Sequence, residues 1–69
     1  MGTEEKRRER RKAVVEEQFR LLSINQAEVC RLAQVSRSVY WRFIEGGNTT
    51  TKNLEKIAKA LQVDPGVIL

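Results

Sequence analysis

A chain of 69 residues with a single cysteine, Cys30, and no histidine has room for one small domain, which buries only roughly 60% of the surface its unfolded chain exposes. It offers no intramolecular disulfide, no histidine-based metal site and no catalytic triad, and its only aspartate is Asp64, so an enzyme is disfavoured and no cofactor is expected. The formal charge of +4 is unevenly placed, with six Lys or Arg against three Glu in residues 1–12, which favours an anionic partner.

From Glu4 to Leu22 no Gly or Pro interrupts a stretch rich in Glu, Arg and Lys, all good helix formers, and Thr3 is placed to cap its start. Glu4 with Arg8 and Glu9 with Lys12 sit at helical spacing, pairs worth a few tenths of a kcal/mol each. Val15, Phe19 and Leu22 recur at i, i+4 and i+7, an apolar stripe confined to the second half. Residues 1–13 are therefore set apart as a basic N-terminal helical extension or arm, and 14–69 as the globular domain.

Ser23 to Asn25 read as a short break, with Asn25 as N-cap of a second helix from Gln26 to about Ala33 and Glu28 at the reciprocal third position of a capping box. Val29 and Ala33 face inward at four-residue spacing. Gln34 and Val35 turn the chain, Ser36 caps a third helix running to about Glu45, and Gly46 and Gly47 stop it. After a polar stretch from Asn48 to Thr51, with Thr51 as N-cap, Leu54, Ile57, Ala58 and Leu61 give the i, i+3, i+4, i+7 pattern of a fourth helix. Asp64 followed by Pro65 marks one more helix start, and the four residues left, Gly66 to Leu69, allow only a final turn. Nothing reads as a strand, a repeat or low complexity. The expected fold class is all-α, a compact bundle of four to five helices with an extended N-terminal helix.

Two short helices joined by a tight turn, Gln26 to Ala33 and Ser36 to Glu45, have the spacing of a helix-turn-helix, whose second helix enters the major groove of DNA while the first crosses the backbone. The run Ile24-Asn25-Gln26 through Val35-Ser36-Arg37-Ser38 to Phe43-Ile44-Glu45-Gly46, followed by Leu54-Glu55-Lys56-Ile57-Ala58-Lys59-Ala60-Leu61-Gln62-Val63, resembles the lambda-repressor-like family, the XRE or Cro type. The resemblance covers about residues 14–69 and implies a sequence-specific DNA-binding transcriptional regulator, a repressor of phage or bacterial kind.

Carried over position by position, the resemblance implies base contacts from Arg37, Ser38, Trp41 and Arg42. Helical geometry agrees that these four share one face while Tyr40 and Phe43 turn to the core. Arginine reads guanine through a bidentate fork, a contact worth about 1–3 kcal/mol of discrimination. For Arg42 a phosphate contact is the alternative, and for Arg37 and Arg42 alike a plain solvated surface. Trp41 either packs on a thymine methyl or sugar, or lies across the edge of the core. Ser38 either donates to the nucleic acid or is simply surface. The resemblance also implies that Gln26 contacts a phosphate, at a helix N-terminus that favours an anion in any case. Gly46 to Asn53 form a loop and helix start rich in small donors, the type of surface that grips a phosphate, and backbone contacts are expected further from Ser36, Asn48, Thr49, Thr50 and Lys52, unless the loop is an ordinary connection.

The chain departs from the family pattern in places. Gln34 stands where relatives carry glycine in the motif turn, and a non-glycine residue in the left-handed region costs about 1–2 kcal/mol. Tyr40 and Phe43 stand where smaller aliphatics are usual, and Cys30 where relatives carry alanine or glycine, which makes it a small buried residue by default. The basic run Lys6 to Lys12 reads either as a DNA-hugging arm or as a solvated, ion-paired helix. Family members dimerise on palindromic double-stranded DNA, and Val67, Ile68 and Leu69 are the expected homodimer interface unless they cap the monomer's own core. A protein-interaction module on the same fold, such as an antitoxin gripping a toxin, is the alternative function. No secretory signal, membrane-length apolar run or lipidation motif is visible, so the expected localisation is cytoplasmic, with no small-molecule ligand evident.

Overall fold

A computed structural model describes residues 2–69, so Met1, the first residue of the expected extension, lies outside the described residues. It contains α1 (Thr3–Leu22), α2 (Gln26–Ala33), α3 (Arg37–Ile44), α4 (Thr51–Leu61) and a C-terminal 3-10 helix (Pro65–Ile68). No strand occurs among the described residues, and no helix among them is long and apolar enough to cross a membrane.

The caps explain where the helices start. Asn25 Oδ1 accepts from the Glu28 amide at 3.0 Å, Ser36 Oγ from Val39 at 3.2 Å and Asp64 Oδ1 from Gly66 at 2.8 Å, each satisfying one of the donors a helix start leaves free. The reciprocal half of the capping box is not made: the Glu28 carboxylate takes Arg31 instead, at 3.1 Å. Thr50, not Thr51, caps α4, its hydroxyl accepting from Asn53 at 3.1 Å, and α1 begins after Gly2 with no side-chain cap. Three helices end on residues in the left-handed region, Ser23, Gln34 and Gln62, at φ 54, 57 and 59. None is glycine, so each carries the steric cost of a Cβ there.

Phe43, Ile57, Leu61, Ile68 and Val29 are the largest fully buried side chains, each contributing on the order of 1.5–3 kcal/mol by leaving water. Tyr40 and Phe43 are both inside, their ring centroids 6.1 Å apart. Ile68, expected with Val67 and Leu69 to face a second copy, is instead fully buried in the chain's own core, whereas Val67 and Leu69 are exposed. With three residues per 3-10 turn, Val67 and Ile68 point in different directions, and Ile68 is the one turned into the core.

α1 runs unbroken through the boundary expected between residues 13 and 14. Neither reading of the basic run anticipates its main feature: Arg11 is buried, at 3% exposure. Its Nε donates to the Ile68 carbonyl at 2.9 Å, and one terminal nitrogen donates to the carbonyls of Phe43 at 2.6 Å and Gly47 at 3.0 Å. Carbonyl oxygens thus stand in for the water the guanidinium has lost. One turn earlier Arg7 donates to the Gly46 carbonyl at 3.0 Å and to Asn48 Oδ1 at 3.2 Å. Among the described residues neither expected ion pair within α1 forms, and Arg8 lies 3.8 Å from Glu45 instead.

Candidate nucleic-acid interface

Seven of the eight residues of α3 divide between two faces, with Val39 partly exposed between them. Tyr40, Phe43 and Ile44 are buried, and Arg37, Ser38, Trp41 and Arg42 are exposed, as the 100° step between helical residues requires once Tyr40 and Phe43 anchor the core. Among the described residues neither Arg37, Arg42 nor Lys52 has a carboxylate within ion-pair distance, so their donors are free for an anionic partner.

Trp41 is half-exposed, at 50%, with its ring set edge-on to Tyr40 at 6.4 Å between centroids. It therefore rests on the rim of the core and still presents much of its surface to solvent. Glu4, Glu45, Arg42, Gly47 and Asn48 surround it in an open hollow of about 460 Å³. The two glutamates give that side an acidic edge which sequence reasoning missed, since Glu4 is distant in the chain.

A second hollow, of about 260 Å³, is lined by Ser38, Val39, Arg42, Asn48, Thr49, Thr50 and Asn53. It brings two of the four expected base-reading residues together with three of the expected backbone-contacting ones. Val39 is not among the expected contacts, whereas Asn53, in the first turn of α4, belongs to the donor-rich stretch from Gly46 to Asn53. The Thr50 hydroxyl and Asn48 Oδ1 already accept bonds from within the chain, which leaves the Asn48 amide nitrogen as that side chain's donor. Arg37, Trp41, Gln26, Ser36 and Lys52 do not line this hollow. Gln26 opens α2, partly exposed at its N-terminus, and Ser36 and Lys52 are exposed.

Burial raises the Tyr40 hydroxyl to a pKa of about 12, with the neighbouring Cys30 adding to the shift. Tyr40 is therefore a neutral core residue at physiological pH. Among the described residues no cluster of His, Cys, Asp and Glu is placed to hold a metal ion.

A family model described as a helix-turn-helix matches residues 16–68, more than half of the chain. In the comparisons with curated proteins and with solved structures, nothing matches. The matched range takes in the end of α1, the α2–α3 pair and everything after it up to Ile68.

Proposed function

The chain belongs to the lambda-repressor-like helix-turn-helix family of DNA-binding regulators, and from that premise we propose that it is a cytoplasmic transcriptional repressor which reads double-stranded DNA with the exposed face of α3. An α-helix about 10–12 Å across fits a major groove about 12 Å wide. In this reading Arg37 and Arg42 fork onto guanine edges, Ser38 donates to a base or phosphate, and Trp41 packs against a thymine methyl or sugar. Gln26, Ser36, Asn48, Thr49, Thr50 and Lys52 hold the phosphate backbone on either side, which sets register and orientation. Catalysis plays no part.

The observation that carries the proposal is an exposed face of α3 that bears two unpaired guanidiniums, Arg37 and Arg42, and of these Arg42 meets a polar loop across a shared hollow. Base-reading and backbone-holding groups then approach one duplex from a single side. Eight helical residues read few base pairs, so the proposal includes a homodimer on a palindromic operator with half-sites about 34–36 Å apart. Val67 and Leu69, exposed beside the buried Ile68, are the residues offered to that interface.

Selecting duplexes from a random pool with the full chain tests the proposal. A recovered palindromic consensus, bound in a salt-dependent manner and lost selectively in Arg37→Ala and Arg42→Ala with helical content intact, is the expected result. Variants that bind the selected duplex like the parent refute the groove-reading assignment. Failure to enrich any sequence favours the protein-interaction module instead.

A further inference from the structure

We propose that Arg7 and Arg11 are positioning residues, fixing the DNA-facing loop and the end of α3 without touching DNA. The inference rests on the DNA-binding reading above.

Three consecutive residues of the α3–α4 connection are held by α1. Arg7 donates to the Gly46 carbonyl and to Asn48 Oδ1, and Arg11 donates to the Gly47 carbonyl between them. The same Arg11 guanidinium bonds the Phe43 carbonyl in the last turn of α3 and the Ile68 carbonyl of the 3-10 helix. A rigid planar group with donors in fixed directions ties three backbone segments into one register, which a lysine ammonium on its flexible stem does not reproduce.

Backbone packing points the same way. Gly46 has φ +89, and a Cβ placed on it would collide with the Glu4 carbonyl and sit 3.1 Å from the Arg8 Cβ. The first turns of α1 therefore lie directly against the loop with no space for a side chain. The same loop presents Asn48, Thr49 and Thr50 to the hollow shared with Ser38 and Arg42. The loop thus joins α1 to the surface offered to the duplex. The inner stripe of the basic run consequently works on the protein, not on phosphate.

The experiment compares parent, Arg7→Lys and Arg11→Lys in affinity for the selected duplex and for a random duplex at one salt concentration. Amide exchange in the free chain is followed at Gly46 and Gly47, whose amides bond the Phe43 and Arg42 carbonyls. Arg7→Lys is expected to weaken the selected duplex about tenfold and the random one less than about twofold, because misplacing supporting groups erodes specific recognition first. Faster exchange at Gly46 and Gly47, with Val29 and Leu61 amides unchanged, is expected alongside. A phosphate-contacting arginine behaves otherwise, since lysine retains the charge; binding of both duplexes at parent strength therefore overturns the proposal, as does equal loss on both. Should Arg11→Lys fail to fold, Arg7→Lys decides alone. A parent that selects no duplex defeats the functional reading and the inference together, and it does so before any variant is compared.

Discussion

The Arg11 guanidinium lies 4.6 Å from the centroid of the Phe43 ring while it donates to the Phe43 backbone carbonyl at 2.6 Å. One side chain thus holds both the face and the main chain of a residue at the centre of the core, and the cation gains from the ring quadrupole as well as from oxygen lone pairs. Burial, followed by the charges of Arg7 and Arg10, lowers the Arg11 pKa to about 10. It remains charged at neutral pH, and its partners are backbone carbonyls that stay in place only while α3, the loop and the 3-10 helix keep their relative positions.

Arg11→Ala leaves the Phe43, Gly47 and Ile68 carbonyls without this donor and opens a void beside Phe43. Losing a buried charge-assisted set of this kind costs on the order of 3 kcal/mol. Total stability for a small domain sits near the lower end of about 5–15 kcal/mol, so the denaturant midpoint should fall by about half or more. A midpoint within experimental scatter of the parent's would show that the oxygens find water as readily as they find arginine.

Gln34 gives a change of opposite sign. Its φ of 57 puts a Cβ in the left-handed region at the turn between α2 and α3, where its own amide bonds the Arg31 carbonyl at 3.2 Å. Gln34→Gly removes that steric cost and should stabilise the fold by about 0.5–1 kcal/mol after the added chain entropy of glycine. For a domain of this size the melting temperature rises about 4–8 °C per kcal/mol, readable by circular dichroism. No rise, or a fall, would mean that the Gln34 side chain contributes more than its backbone strain costs.

Tyr40 predicts an alkaline transition. Its hydroxyl pKa is raised to about 12 in the folded chain from an unfolded value near 10. The neutral phenol is the form that the fold favours, so its stabilising contribution is complete below about pH 10 and is lost as pH rises through about 12. Because Tyr40 is the single tyrosine, phenolate absorbance reports it directly. A tenfold difference in proton affinity between folded and unfolded chain is worth about 1.4 kcal/mol. Tyr40→Phe should flatten the fall in stability between pH 10 and 12, and a phenolate that forms near pH 10 in the folded chain contradicts the assignment.

The sequence made the elements legible wherever a local rule decided them. Asn25, Ser36 and Asp64 announced three helix starts, and the Leu54, Ile57, Ala58, Leu61 pattern announced α4. The split of α3 into a buried Tyr40–Phe43 side and an exposed Arg37–Arg42 side followed from the same periodicity. What stayed hidden depended on tertiary partners. Arg11 stands four residues before Val15 on the inward stripe, and Arg7 four before that, yet a cation there reads as solvated charge until the carbonyls of distant residues are brought to it. Ile68 was hidden for the same reason, since nothing local distinguishes a residue that closes a core from its exposed neighbours Val67 and Leu69.

Trp41 separates recognition from packing most sharply. Half of its surface is open to solvent while its ring meets Tyr40 edge-on. A tryptophan that chiefly fills the core costs about 3–5 kcal/mol on truncation, whereas one held mainly for a partner costs little until the partner is present. Its geometry favours the second case: Trp41→Ala should lower stability by about 1 kcal/mol or less and reduce affinity for the selected duplex about tenfold, the loss of a good apolar base contact. As the single tryptophan, it also reports by fluorescence, with quenching by acrylamide expected to be strong in the free chain and weak in the complex. A large loss of stability together with parent-like binding would assign the ring to the core edge, and the burden of base reading would then rest on Arg37, Ser38 and Arg42.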